Sequence, residues 1–245
     1  MMRSDSFYKE LSYSNDLDYL NNNIANNFSQ SEIIGKDILD YGCGTGDASF
    51  TFIDYMPKSI TGIDIGESNI DICKKRNLKN NNIEFIRKDL NLCKLLPEQY
   101  DLVWSDTVIE FLTKDLNEIV VDFKECLRSD GVVYLSFTKK TFSNVMMYKI
   151  LSFFKVIVPE SFRSIFYYLI MFKYKLNGIN IKDKNNVKSK VKYLFVPYIR
   201  LISETEIIAA LENSGFQLQY IRERIKSDIN STSHIELKAI LKNEQ

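Results

Sequence analysis

An apolar run, Ile38-Leu39-Asp40-Tyr41, breaks at Gly42-Cys43-Gly44-Thr45-Gly46, and Asp47 follows at once. Three glycines at alternate positions after a buried-strand pattern leave few folds open to the chain. They mark a turn where backbone can pass close to a ligand, because glycine has no Cβ to block the approach. The residues after it read as a helix over 47–56, stopped by Pro57. Such a helix start offers free N–H groups to a polar or anionic group. On its own the pattern indicates a nucleotide-like ligand, or a turn that serves only chain reversal.

The pattern that follows alternates regularly. Residues 59–65 read as a second strand, 67–78 as a helix, 83–90 as a third strand and 100–105 as a fourth. Leu116, Ile119, Val120, Phe123 and Leu127 recur at helical spacing, Asp130-Gly131 closes that helix, and 132–137 is a fifth strand. Alternating strands and helices predict a parallel sheet with helices on both faces. Ser203 and Glu206 have the spacing of a capping box, opening a helix that Gly215 ends. Residues 216–222 and 235–241 then read as an antiparallel pair joined by a polar loop over 226–233. The expected fold class is α/β: a seven-stranded, mostly parallel sheet with the last strand antiparallel. A helical insertion follows the fifth strand.

Spacing narrows the ligand. Dinucleotide sites favour G-x-G-x-x-G, with a diphosphate on the helix N-terminus. Here the glycines fall at 42, 44 and 46, and the carboxylate of Asp47 is a poor neighbour for diphosphate. Asp64 closes the second strand, where a carboxylate can accept hydrogen bonds from a ribose diol. Asp89 closes the third and can reach an adenine amino group.

The segments ILDYGCGTG, GIDIGESNIDICKKR, IEFIRKDL and YDLVWSDTVIEFL, the helix before SDGVVYLSF, and the terminal GFQLQYIRER and HIELKAIL resemble, in order, the motifs of class I S-adenosylmethionine-dependent methyltransferases. The resemblance covers about residues 36–138 and 201–242. It implies a Rossmann-like fold and S-adenosylmethionine as cofactor. Gly42, Cys43, Gly44 and Gly46 would line its methionine part, and Asp40 would organise the loop and the amino group. Asp64 would hold the ribose, with Ile65 near the adenine and Asp89 and Leu90 flanking it. Ser105, or Asp106 after it, would face the reacting centre. Where the family often has Glu-His, this chain has Glu110-Phe111, which removes a polar group near the acceptor.

Composition bounds the rest. With 245 residues, 45% hydrophobic and 26% charged, the chain suits a soluble α/β domain with an insertion. Four scattered cysteines and a single histidine, His234, argue against a disulfide framework or a zinc site, and no metal is expected. The first residues lack a signal-peptide core and no apolar run spans a bilayer, so a cytoplasmic protein is expected, with membrane contact at most peripheral. The predicted organisation is a helical lead-in over 1–35, a core formed by 36–140 and 201–245, and an insertion over 141–200.

The net charge is zero, yet residues 139–200 hold 13 basic and two acidic residues. This stretch is rich in Phe, Tyr and Ile and fits two amphipathic helices broken at Pro159, then a Lys-rich run over 182–192. It reads as a lid over the acceptor, as a surface for an anionic membrane, or, less well, as a nucleic-acid patch. The expected function is methylation, at oxygen, of a small hydrophobic, lipid-like or glycosidic acceptor. The alternative is a methyltransferase-like binding or partner protein without turnover; a nicotinamide enzyme is disfavoured by the glycine spacing. Asp106, Glu110 and His234 are the candidate bases.

Overall fold

The computed structural model describes residues 17–157, 162, 164–176, 198–224 and 234–242. The strands are β1 (Asp37–Tyr41), β2 (Ser59–Asp64), β3 (Ile83–Arg87), β4 (Tyr100–Asp106), β5 (Leu127–Thr138), β6 (Phe216–Glu223) and β7 (His234–Leu241). They form one sheet in the order β3-β2-β1-β4-β5-β7-β6. β1 to β5 run parallel, and β7 runs antiparallel between β5 and β6. Chain direction therefore reverses the build-up of the sheet at β1, between β2 and β4. Ligands bind at such a switch point, beyond the carboxyl ends of the strands.

Helices cover both faces. On one side α1 (Leu17–Asn27), α2 (Asp47–Phe52) and α3 (Glu67–Arg76) enclose Leu20, Ile24, Phe28, Ile38, Phe52, Ile70 and Trp104. Trp104 stacks on Tyr134 with centroids 4.2 Å apart. On the other side α4 (Leu116–Cys126) and α7 (Glu204–Asn213) bury Ile119, Val120, Phe123, Ile207 and Leu211 against Leu39, Val103 and Leu135. The five residues of β1 are all buried, as a central parallel strand requires.

Ser203 and Glu206 form the predicted capping box: Glu206 Oε2 lies 2.8 Å from Ser203 N, and Glu206 N donates to Ser203 Oγ at 3.3 Å. Several boundaries differ from the sequence reading. The helix after the glycine turn ends at Phe52 and continues as a 3-10 turn over Ile53–Tyr55, with Met56 left-handed at φ 56°. β3 ends at Arg87, so Asp89 lies two residues past the strand, in a turn whose amides Leu92 and Cys93 donate to its carbonyl. β5 begins directly at Leu127, and Asp130 sits at positive φ inside an irregular stretch of that strand.

The polar lead-in has a structural part as well. Leu20 and Ile24 of α1 are fully buried, and Asn23 is buried in the same helix. Residues 4–16, Pro159, the Lys-rich run over 182–192 and the loop 226–233 lie outside the described residues.

The insertion leaves and rejoins the core at one place. Lys139 bridges Ile202 in parallel, Lys140 N donates to Ile202 O at 3.1 Å, and Arg200 N donates to Glu110 O at 2.7 Å. Between these points lie α5 (Phe142–Ile157) and α6 (Ser164–Leu176).

Candidate functional site

The glycine turn crosses the end of β2: the amides of Gly42 and Cys43 both donate to Ile63 O, at 2.8 and 3.0 Å. Gly42 has φ +82°, and a Cβ there would stand 2.4 Å from Val108 Cγ2, so the turn after β4 packs against it from behind. Gly44, at φ +53°, borders open space instead, with nothing within 4 Å of an added Cβ. That is a cradle whose backbone a ligand can reach. The Cys43 side chain packs inward, leaving its backbone for that role. Gly46 caps the start of α2.

Asp64 ties this turn to the next one. Its Oδ2 accepts from Gly44 N at 3.0 Å, and its Oδ1 from Gly66 N at 2.7 Å and Asn69 Nδ2 at 3.2 Å. Burial pushes its pKa up, against the pull of these three donors. A carboxylate oxygen has two lone pairs, so Oδ2 keeps a direction for a further donor. Ile65 follows, half-buried, at the mouth of the same edge.

Asp40 is buried at the end of β1 and accepts from Ser49 Oγ at 2.6 Å, which fastens the strand to α2. Burial raises its pKa to about 7. Asp47 is held by Arg76, whose Nη1 lies 2.6 Å from Oδ1 and 2.7 Å from Thr45 O. Its charge is thus met by α3, which weakens the sequence argument that Asp47 by itself repels a diphosphate. Asp89 is half-buried; its Oδ1 takes the Asn91 amide at 2.9 Å. The Leu90 side chain belongs to the core, so only its backbone is available beside a ligand.

The residues expected at the reacting centre separate into two groups. Ser105 is fully buried and its hydroxyl has no partner among the described residues. Asp106 is gripped by Arg224, Nη1 to Oδ1 at 2.6 Å and Nη2 to Oδ2 at 3.0 Å, and accepts from Ser136 and Thr107 as well. Burial would raise its pKa, but Arg224 and the two hydroxyls hold it below the ordinary value.

Glu110 and His234 come together through Thr138, although 124 positions separate them in sequence. Thr138 N and Oγ1 both lie 3.2 Å from Glu110 Oε1, and Oγ1 is 3.4 Å from His234 Nε2. Tyr148 of α5 neighbours this hydroxyl, and burial pushes its pKa up to about 12. Glu110 is wholly buried, its Oε2 has no partner among the described residues, and burial lifts its pKa to about 7.

Tyr148 also lines an open cleft of about 530 Å³ with Lys140, Val145, Lys149, Ser152, Tyr198 and Leu201. Sequence reasoning missed Arg76, Thr138, Tyr148 and Arg224. Each acts through a partner distant in the chain, and no local pattern marks it.

S-adenosylmethionine combines an ammonium, a sulfonium, a ribose diol and an adenine, without phosphate. An open glycine cradle with Asp40, Asp64 and Asp89 grouped around the same strand ends fits those groups.

Residues 38–131 match the family model of the methyltransferase domain. Over 111 residues the chain is 37% identical to the malonyl-[acyl-carrier protein] O-methyltransferase of Acetivibrio thermocellus. That alignment takes in 44% of this chain and 38% of the relative, so the chain spans well under half the length of that curated protein. An S-adenosylmethionine-dependent methyltransferase from Mesorhizobium loti superposes with a TM-score of 0.63 at 15% identity, covering 92% of this chain and all of that one. The magnesium protoporphyrin IX methyltransferase of Synechocystis PCC 6803, solved with bound SAH, gives 0.60 at 16% identity, covering 91% and 82%. Residues 38–131 thus match a methyltransferase domain, within a chain that shares the fold of S-adenosylmethionine-dependent methyltransferases.

Proposed function

We propose that the chain transfers a methyl group from S-adenosylmethionine to a small hydrophobic, lipid-like or glycosidic acceptor, at oxygen. The observation that carries this reading is the Asp64 carboxylate bridging Gly44 and Gly66 beside the open face of Gly44. When bound, S-adenosylmethionine supplies a methyl already activated on sulfur, so alignment of the acceptor does much of the work.

The residues of this chain divide that work. Gly44 and Cys43 offer backbone to the methionine part, Asp64 accepts from the ribose diol, and the 89–90 turn borders the adenine. The cleft under α5 receives the acceptor, and its Tyr148, Val145 and Leu201 exclude water from the acceptor's apolar part. A hydroxyl acceptor must lose a proton. Tyr148 meets it in the cleft, with Thr138 as a neighbour, and Thr138 in turn reaches Glu110 and His234. The Thr138 hydroxyl has one proton to give. With Glu110 protonated, Thr138 accepts from Glu110 and donates to His234 or Tyr148; with Glu110 ionised, it turns to Glu110. The cluster thus changes its donor direction near neutral pH.

A reading without turnover is favoured by two observations: Asp106 is neutralised by Arg224, and Glu110 is wholly buried. Incubation of cell extracts with methyl-labelled cofactor separates the two. The catalytic reading predicts a labelled product 14 Da heavier than its precursor by one CH₂, a gain lost in the Tyr148→Phe variant. Cofactor binding with no labelled product from any extract supports the partner protein.

A further inference from the structure

α5 and α6 each carry an exposed apolar stripe that the fold does not use. On α5 the stripe is Phe142, Met146, Ile150 and Phe153, with Phe142 83% and Phe153 64% exposed. On α6 it is Ile165, Tyr168, Leu169 and Phe172, each more than half exposed. The spacings of four, four and three residues, and of three, one and three, put each set within about 100° of helix surface at 3.6 residues per turn.

The α5 stripe points away from the acceptor cleft. Val145, Tyr148, Lys149 and Ser152 line that cleft, and Asn144 anchors the helix by donating to Lys139 O at 2.7 Å. These inner positions centre about 120° around the helix from Phe142, Met146, Ile150 and Phe153. A lid that only covered a pocket would turn a polar face outward here.

Charge identifies what covers the stripes. Neither helix contains an acidic residue, and together they hold Lys149, Lys155, Lys173 and Lys175. The two helices therefore carry an excess of four positive charges. A second copy of this face would bring two such excesses together. A nucleic acid would answer the charge but leave the aromatic stripes in water. An anionic bilayer answers both, taking the apolar side chains below its headgroups and meeting the positive charge of the two helices.

We propose that α5 and α6 form a docking surface for a membrane rich in anionic lipid, on which the chain rests peripherally. Among the described residues, no helix is long and apolar enough to cross a membrane. The surface lies on the back of the helix that walls the acceptor cleft, so the cleft is held close to the lipid. This surface stands independently of the catalytic reading.

The test is flotation of the full chain with vesicles of equal parts phosphatidylglycerol and phosphatidylcholine, and with phosphatidylcholine alone. Binding to the anionic vesicles is expected, reduced by high salt and roughly ten-fold or more weaker for phosphatidylcholine. The doubly substituted Phe142→Asp/Ile150→Asp and Leu169→Asp/Phe172→Asp chains should each lose at least ten-fold in binding. Because these side chains are exposed, S-adenosylmethionine binding measured in parallel should be unchanged, which reports that the variants are folded. Absence of anionic-vesicle binding at low salt overturns the proposal, and so does binding that survives both pairs of substitutions. A concentration-dependent dimer abolished by the same substitutions, without vesicle binding, would make the face a self-interface and overturn it too.

Discussion

Arg224 of the segment following β6 closes on Asp106 at the end of β4 with two parallel contacts, 2.6 and 3.0 Å long. A fork-to-carboxylate pair of this kind is strongly oriented. It makes Asp106 a structural anion at the edge of the candidate site, where the sequence had offered it as a base.

Removing the cation should leave a buried charge unpaired, which costs about 3 kcal/mol or somewhat more. Arg224→Met should therefore lower the melting temperature at pH 7 by roughly 6–12 °C for a chain of this size. Asp106 is held below its ordinary pKa, so the stability it contributes is present above the carboxylate range and lost as pH falls through its folded value. The deficit of the variant should shrink when melting is repeated near pH 4, and Asp106→Asn/Arg224→Met should melt above the single variant. Equal melting of wild type and Arg224→Met at pH 7 would show that the pair does not hold this edge.

Glu110 behaves in the opposite sense. Its folded pKa of about 7 stands above the unfolded 4.5, so the native state binds the extra proton between those values. Stability should fall as pH rises from about 4.5 to about 7, by on the order of 3 kcal/mol from this group. Asp40, raised to about 7 from 3.8 by its own burial, adds a decline of the same sign. Denaturant titrations of Glu110→Gln should show a flatter pH profile over this window than wild type. Profiles that superimpose would place Glu110 in a wetter setting than its burial indicates.

Tyr148 lines the cleft and neighbours Thr138. Tyr148→Phe keeps the ring in the cleft and removes only its hydroxyl. Turnover of the acceptor found in extracts should drop about 100-fold while cofactor affinity stays constant, in line with loss of a proton-transfer partner. An unchanged turnover number would put the proton route elsewhere.

The frame of this chain is legible in sequence because its signals are local. The apolar run before Gly42, the glycine spacing, the capping box at Ser203 and the paired final strands each occupy a few consecutive residues. Asp64 was placed correctly at its strand end for that reason, whereas Asp89 was not, since the sequence reading carried β3 on to Leu90, past its last ladder position at Arg87. The network around α1 was invisible. Asn23 accepts from Tyr134 at 3.2 Å, and Asn27 accepts from Arg222 at 2.9 Å and from Tyr220. These partners lie more than 100 positions away, so no local pattern marks the asparagines. Lys238 was hidden in the same way: it is buried, donates to Asn27 O at 3.0 Å and pairs with Glu32. Thr138 shows the general reason. A hydroxyl amid an apolar strand is ordinary until the sheet register sets His234 opposite it and the turn after β4 sets Glu110 beside it.

The central claim is that Asp64 and the open turn at Gly44 together hold an adenosyl group, and calorimetry of the demethylated cofactor tests it most directly. Wild type should bind S-adenosylhomocysteine and ignore NAD, and Asp64→Ala should bind it about 1.5–3 kcal/mol more weakly while melting as a folded protein. Equal affinity in the two proteins, or heat from NAD in place of the adenosyl ligand, would contradict the account.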